Sequence, residues 1–486
     1  MKEIQQKVKE VTKTLSLANT PELCCLDLSS EVGELSKEIL ELTNYGKRRK
    51  RIFNPNLARE LGDTFYSLIS IANIYNINLE KELMKSLEKY KRREADRDSS
   101  KRKIKLEPIV LAKNFLCLNS VVGCKNDCIY CYKHGWDIEN PFIPQVVFES
   151  KEIVANLLNH RYYHPNIPLA VHNSATDPFQ KEVAKTTFKI LDGIEALGIP
   201  NIVGLITKEY LSFETIKRIE SYKNIRPIVF VTYSLLPKKY ERVVDERRLE
   251  TMKNLSKSKL KKVLYFRPII KGVNDNEETV KKIVDLGEKY FDCIVRSSIK
   301  VDINTIEYMA KKGVYIDPNY DIGLNIHDSV KQMLPGIREK VDLILAKSKI
   351  PYYKKTSCAI SYLFEQSDYN TQWIKPKIYC SKLCPKKQSK KCQLASGKKV
   401  KSKNIAKILE HLGLKYNFSI LKDKVVIKAD DAFYSDIKYM RMVLNFPVMI
   451  SKNGHLLTAE EYDRKYVNID RSEIRKQIKK LGIHNY

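Results

Sequence analysis

Ile4, Val8, Val11 and Leu15 recur three or four positions apart, the spacing of one helix face. The same period returns after Thr20-Pro21 and after Asn54-Pro55. In both, a side chain able to cap a helix precedes a proline suited to the first helical position. A last helix begins at Asn78 and runs to a charged stretch near residue 95. This pattern predicts a small all-α helical bundle. After residue 107 the period changes. PIVLAKNFLCLNSVV reads as a strand that delivers the chain to Gly123. Downstream, the strand-like runs IPLAVHNS, NIVGLIT, RPIVFVTYS, KVLYFRPII and FDCIVRSSIK alternate with amphipathic helical segments such as LSFETIKRIESYK and NEETVKKIVDLGEKY. Such alternation predicts an α/β partial (β/α) barrel, with functional loops at the C-terminal ends of its strands. A helix in IAKILEHLG and short strands in FSILKDKVVIKA predict a small C-terminal α+β domain without a catalytic motif.

The expected chain is therefore multidomain: a helical bundle at 1–97, a charged linker at 98–106, the partial barrel at 107–350, a Cys-rich extension at 351–398, and the α+β domain at 399–486. Its 486 residues, 43% hydrophobic and 30% charged, suit a globular protein of several domains. No apolar run approaches the roughly 18–20 residues of a membrane span, and MKEIQQKVKE is no signal peptide, so a cytoplasmic protein with no membrane partner is expected. In that compartment eleven clustered cysteines read as metal or cluster ligands rather than disulfides.

The net charge of +29 is spread along the chain but is denser in three places. These are KRRKR at 47–51, KRREADRDSSKRKIK at 91–105, and Lys382–Lys403, which holds nine lysines and no acid. Solvated loops would explain them, and so would a phosphate-rich partner, nucleotide or nucleic acid.

Two of the N-terminal helices carry paired acids. Glu31 and Glu34 in SSEVGELSKE are three apart, and Glu60 and Asp63 in RELGDTFYSL repeat that spacing. Both pairs stand among Val32, Leu35, Leu61 and Phe65, near a stripe expected to face the core. Four converging carboxylates repel one another unless cations hold them, and oxygen ligands point to Mg²⁺ or Mn²⁺. Residues 1–95 resemble the MazG-like all-α NTP pyrophosphohydrolases, whose signature is ExxE followed after a loop by ExxD. The resemblance implies Glu31, Glu34, Glu60 and Asp63 as metal ligands and catalytic residues, and a homo-oligomer formed through the bundle. Where that family often has a further Glu, this chain has Ser30.

GCKNDCIYCYKHGW holds Cys124, Cys128 and Cys131 in the order C-x3-C-x2-C. Zinc sites usually offer four protein ligands, whereas three thiolates leave one corner of a [4Fe–4S] cubane open. On a β/α scaffold this spacing, with aromatic Tyr130 inside it, resembles the radical S-adenosylmethionine (SAM) enzymes. The resemblance implies a [4Fe–4S] cluster on Cys124, Cys128 and Cys131, with SAM on the fourth iron. It further implies reductive cleavage of SAM to a 5′-deoxyadenosyl radical, and a reductant such as flavodoxin or ferredoxin. SAM contacts are expected from strand ends: Asn173, Ser174, Thr176 and Asp177 in VHNSATDPFQ, Thr232 and Ser234 in VFVTYS, and Arg267 and Asn274 in FRPIIKGVND. The phrases LNSVVGC, TDPFQ and RPIIKGVND look most like the spore-photoproduct-lyase-like branch.

A second set, Cys358, Cys380, Cys384 and Cys392, lies in and before a lysine-rich loop and suits an auxiliary [4Fe–4S] cluster or a structural zinc ion. Cys24, Cys25, Cys117 and Cys293 read as core residues, with Cys293 placed to serve as a hydrogen donor if its strand faces the cavity. The expected function is a radical SAM enzyme acting on a nucleotide or nucleic acid, fused to a metal-dependent nucleoside triphosphate pyrophosphohydrolase. Its alternatives are a non-catalytic nucleic-acid-binding protein with structural zinc at both cysteine sets, and a radical SAM enzyme that modifies a peptide.

Overall fold

The computed structural model describes residues 2–17, 20–43, 45, 54–87, 107–135, 140–173, 175–243, 245–317, 319–320, 322–323, 333–375, 380–429, 432–452, 455–459, 476 and 478. The basic stretches 47–51 and 91–105 and the linker 98–106 lie outside them. The chain divides into two compact units, 1–99 with 409–415, and 100–408 with 416–486.

The first unit is built from α1 (Lys2–Thr14), α2 (Pro21–Leu42), α3 (Pro55–Ile74) and a fourth helix, α4, at 79–87. Each predicted start is capped. The side chain of Thr20 accepts from Leu23 N, Asn54 from Asn56 N at 2.8 Å and Asn78 from Lys81 N at 3.0 Å. α2 packs along α3, and α1 rests on α3. Gln5 fixes α1 there, since its side chain donates to Ile77 O at 2.9 Å and accepts from Leu79 N at 3.1 Å. The expected core stripe is not covered. Val32, Leu61 and Phe65 are exposed at 44%, 52% and 38%, and Leu26 reaches 67%. Two long helices in contact along one line bury only one face each, while the apolar stripe of each sequence is wider than that line. Cys25 is also exposed, against its expected place in the core.

The second unit holds an eight-stranded sheet. PIVLAKNFLCLNSVV is not one strand. It forms β1 (Ile109–Leu111), a tight turn, β2 (Leu116–Leu118) and β3 (Val121–Val122), and β3 pairs apart from the large sheet with β4 (Gln145–Val146). The polar pair Lys113-Asn114 interrupts the apolar run, and Ala112 N closes the turn on Phe115 O at 2.9 Å. β1 pairs antiparallel with β2. From β2 onward every neighbour is parallel: β5 (Leu169–Val171), β6 (Ile202–Thr207), β7 (Arg226–Thr232), β8 (Lys261–Ile269), β9 (Cys293–Ser298) and β10 (Tyr352–Tyr353). Helices α5 (Ser150–Leu157), α6 (Ala184–Ala196), α7 (Phe213–Glu220), α8 (Asp245–Ser256) and α9 (Glu277–Tyr290) alternate with the strands. These are followed by α10 (Ile303–Lys311), α11 (Ile337–Leu345) and α12 (Thr356–Leu363).

Strands β11 (Asn417–Ile420), β12 (Val425–Lys428), β13 (Val448–Lys452) and β14 (His455–Thr458) form another sheet, with helix Tyr434–Leu444 crossing between its parallel pair β12 and β13. That helix is tied into the unit by buried polar contacts. Lys438 Nζ donates to Leu111 O at 2.6 Å, and Asp436 receives Arg161 at 2.9 Å and Tyr162 at 2.7 Å.

The interior of the large sheet is aromatic. Phe115 meets Phe230 edge-on at 6.4 Å, and Phe230 meets Tyr265 at 4.6 Å. Gly204 in β6 leaves room for this, because a Cβ there would lie 2.7 Å from Phe115 Cε1. Gly204→Ala is therefore expected to lower the unfolding free energy by about 1–3 kcal/mol through overpacking, read as a reduced denaturation midpoint.

Candidate metal and cluster centres

The carboxylates meet where α2 and α3 run side by side. Ligand oxygens of Glu31, Glu60 and Asp63 all lie within 4.8 Å of one another, close enough to share one hard cation. Glu34, one turn further along α2, is exposed and stands outside this group. Asp27, one turn before Glu31, was missed. It receives Ser67 Oγ of α3 at 2.5 Å. Slight burial, then the charges of Glu34, Asp27, Asp63 and Glu60, raise the pKa of Glu31. The i, i+4 step from Asp27 to Glu31 was the available signal. Gly33 and Gly62 lie between the members of the two acid pairs, and no atom stands within 4 Å of where their Cβ would be.

The cysteine loop follows β2 and β3, at the C-terminal ends of the parallel strands. Gly123 begins it with φ +96°, and a Cβ there would fall 2.2 Å from Ile143 O, so only glycine lets the loop close. Cys124 N bonds Pro141 O at 3.0 Å, Cys131 N bonds Cys128 O at 2.9 Å, and the 3₁₀ turn Tyr132–Gly135 follows. Buried Lys133 reaches back to the carbonyl of Cys124. His134 bonds Cys128 O at 2.9 Å and stacks on Tyr308 at 3.7 Å. Burial raises all three thiol pKa values, Cys128 to about 12, while Lys133 draws Cys124 and Cys131 down and Lys208 draws Cys128 down. Gln180 Nε2 donates to Cys124 Sγ at 3.2 Å, and its Oε1 accepts from Lys125 N at 3.1 Å.

The predicted SAM contacts fall into three groups. Asp177 and Asn274 are committed to the scaffold. Asp177 Oδ1 accepts from Thr207 Oγ1 at 2.7 Å and Phe179 N at 3.1 Å, and Oδ2 accepts from Lys208 N at 2.7 Å. Asn126 approaches the same Oδ2 at 3.5 Å, so this carboxylate fastens the β5 loop to the end of β6. Burial, then Glu209, push it up to about 7 against those hydrogen bonds. Asn274 donates to Ser234 O and Pro268 O and accepts from Ile270 N, pinning its own loop. Asn173 turns inward, its amide 3.8 Å from Cys117 Sγ.

Thr176 and Ser234, by contrast, have buried hydroxyls without a partner among the described residues. Thr232 is buried at the end of β7, and Arg267 lies over the Tyr265 ring at 4.5 Å. Ser174 lies outside the described residues. Two residues that sequence reasoning missed have the same character. Asn119 Oδ1, after β2, and His172 Nε2, after β5, are buried polar atoms with no partner. Cys293 begins β9 at its N-terminal end, so it is not placed among these strand ends.

A buried charge cluster backs the loop, and nothing in the local sequence announces it. Glu241 Oε1 receives Lys208 Nζ at 2.8 Å and the Tyr130 hydroxyl, and its Oε2 receives Arg248 Nη1 at 2.7 Å. Lys208 also donates to the Tyr130 hydroxyl, and Arg248 to Asp245. Burial would raise the Glu241 carboxyl, but Lys208, then Arg248, hold it at about 2.

The cysteines of the second set lie within electrostatic reach of one another. Each of the six pairings among Cys358, Cys380, Cys384 and Cys392 is close enough for one thiolate to oppose ionisation of the other. Gln388 anchors the group, with Nε2 2.9 Å from Gln366 O and 3.6 Å from Cys392 Sγ.

Among known proteins, the family described as MazG nucleotide pyrophosphohydrolase domain matches residues 19–97. None of the curated proteins compared matches the chain. Among solved structures, a radical SAM methyltransferase from Sphaerobacter thermophilus is 13% identical with a TM-score of 0.34, over 51% of this chain and 69% of that one. A point variant of spore photoproduct lyase is 12% identical with a TM-score of 0.35, over 52% of this chain and 79% of that one. Among the described residues no helix is long and apolar enough to cross a membrane.

Removing the anion between two buried cations leaves Lys208 without a carboxylate and Arg248 with Asp245 alone. Glu241→Gln is expected to cost about 3–5 kcal/mol at neutral pH. Because the folded carboxyl titrates below its ordinary range, its contribution is complete above that range and is lost as pH falls through about 2. Denaturation midpoints of wild type and variant should thus converge on acidification.

Proposed function

We propose that the chain couples two activities: metal-dependent hydrolysis of a nucleoside triphosphate to the monophosphate and pyrophosphate, and radical SAM chemistry on a nucleotide or nucleic acid. The observation that carries the first is the meeting of Glu31, Glu60 and Asp63 within 4.8 Å on paired helices, inside the segment that matches MazG domains. These three would hold Mg²⁺ or Mn²⁺, with Glu34 at the rim and Asp27, held by Ser67, adding a further negative charge beside Glu31. A bound divalent ion neutralises phosphate oxygens and activates a water for attack on phosphorus. The exposed Leu26, Val32, Leu61 and Phe65 support self-association of the bundle.

For the second activity, Cys124, Cys128 and Cys131 would supply three thiolates to a [4Fe–4S] cluster. A [4Fe–4S] cluster that binds SAM and receives one electron, from a donor such as flavodoxin or ferredoxin, supplies a 5′-deoxyadenosyl radical. The residues present suit that load. Gln180 donates to the Cys124 sulfur, and Lys133 and Lys208 lower the cost of thiolates in a buried loop. The unpartnered atoms of Asn119, His172, Thr176 and Ser234 at adjacent strand ends suit a polar ligand beside the cluster. The partial-barrel reading of the sheet rests on the alternation of strands and helices, and the nucleotide class of the substrate on the motifs LNSVVGC, TDPFQ and RPIIKGVND and on the nucleotide chemistry proposed for the bundle.

Glu60→Gln and Asp63→Asn should each lower triphosphate hydrolysis about 100-fold or more, the worth of a few kcal/mol of charge stabilisation. Full activity in both variants, followed by pyrophosphate release, would remove the carboxylate site from the mechanism.

The triple variant C124A/C128A/C131A should form no 5′-deoxyadenosine from SAM under reducing, oxygen-free conditions. In the wild type, nucleotides or oligonucleotides should raise that yield and peptides should not. Stimulation by peptides alone would move the substrate to the peptide class.

A further inference from the structure

We propose that Cys358, Cys380, Cys384 and Cys392 together bind an iron–sulfur cluster through four thiolates, at the N-terminal end of the parallel sheet. The placement comes from several contacts. Tyr369 donates to Asn114 O at 3.1 Å and Asn370 to Lys113 O at 3.2 Å, both in the β1–β2 turn that precedes the parallel strand β2. Phe364 lies under the guanidinium of Arg226, the first residue of β7, at 5.4 Å. The segment after α12 therefore covers the ends where strands begin, while Cys124, Cys128 and Cys131 sit where strands finish. Helix Lys386–Ser396 is fastened to this segment by Gln388 on Gln366 O and by Lys391 on Glu365 O at 2.6 Å. Cys358 is thereby brought together with three cysteines from a distant stretch of sequence.

One feature favours a cluster over a single zinc ion. Among the described residues, Tyr353 OH, Ser361 Oγ and Ser381 Oγ are buried and without a partner. Ser381 adjoins Cys380, Ser361 is one turn from Cys358, and Tyr353 is reached by the charge of Cys293 first and then by those of Cys384 and Cys358. Hydroxyls in such positions suit the bridging sulfides of a cluster, which accept hydrogen bonds and which a zinc site lacks. A metal centre on four thiolates is anionic, and Lys382–Lys403 offers nine lysines with no acid to balance it. Four protein ligands leave no iron open, so the centre carries electrons and does not bind substrate.

The test uses the full chain, reconstituted anaerobically with iron and sulfide. C124A/C128A/C131A should retain iron and acid-labile sulfide in equal amounts, and a dithionite-reduced paramagnetic signal that SAM leaves unchanged. C380A/C384A/C392A should lose that signal and keep one that responds to SAM. Zinc in place of iron in the first variant, or no metal, would overturn the proposal. Loss of SAM cleavage belongs to the other cysteine set, so the two assignments fail separately. Tyr353→Phe keeps every ligand and should move the SAM-insensitive signal to a more negative midpoint potential, since it removes a donor that favours the reduced cluster. An unchanged potential would show that the buried hydroxyls address something other than a cluster.

Discussion

A single buried carboxylate organises the surroundings of the cysteine loop. Glu241 receives a lysine from the end of β6, an arginine from α8 and a phenol from within the C-x3-C-x2-C motif. A lysine or arginine alone in that interior would be expensive, and so would the glutamate. Together they are satisfied, and Tyr130 is thereby fixed to two elements far from it in sequence. Asp177 does the equivalent one strand away, gathering donors from β6 and from its own loop. The loop's thiols are thus set by the scaffold and not by the loop's own short-range turns alone.

Much of this architecture was legible in the chain, for identifiable reasons. A change of hydrophobic period separates the helical start from the β/α region, because helices and strands repeat at 3.6 and 2 residues. Thr20-Pro21, Asn54-Pro55 and Asn78 marked helix starts, since capping is local chemistry. What failed was non-local. Glu241, Lys208 and Arg248 are single charges with no pattern around them, and only the fold brings them together. Asp177 was read as a ligand contact because a sequence shows a carboxylate but not the donors that another strand end supplies. Val32 and Leu61 follow a helical apolar stripe, yet periodicity names a face without naming what covers it. The Lys113-Asn114 turn was visible, and an apolar run on either side concealed it.

The two centres differ in how the protein meets the cost of concentrated charge. In the bundle, carboxylates stand at the surface of paired helices, where water moderates their repulsion. In the sheet, thiols are buried, and burial itself raises their pKa values, so lysines are drawn in beside them. The first arrangement would let the proposed ion and a phosphate ligand exchange with solvent. The second keeps an oxidisable loop enclosed.

Gly33 and Gly62 add a mechanical dimension to the carboxylate site. Each interrupts a helix between its two acids, where alanine would fit without touching anything, and each weakens its helix by roughly 0.5–1 kcal/mol. Two rods softened at the same level bend there more readily than elsewhere. The distance between their acidic faces can then breathe with small changes of backbone angle. If these acids hold a cation as proposed, an ion with slightly longer bonds would meet a compliant vice rather than a rigid socket.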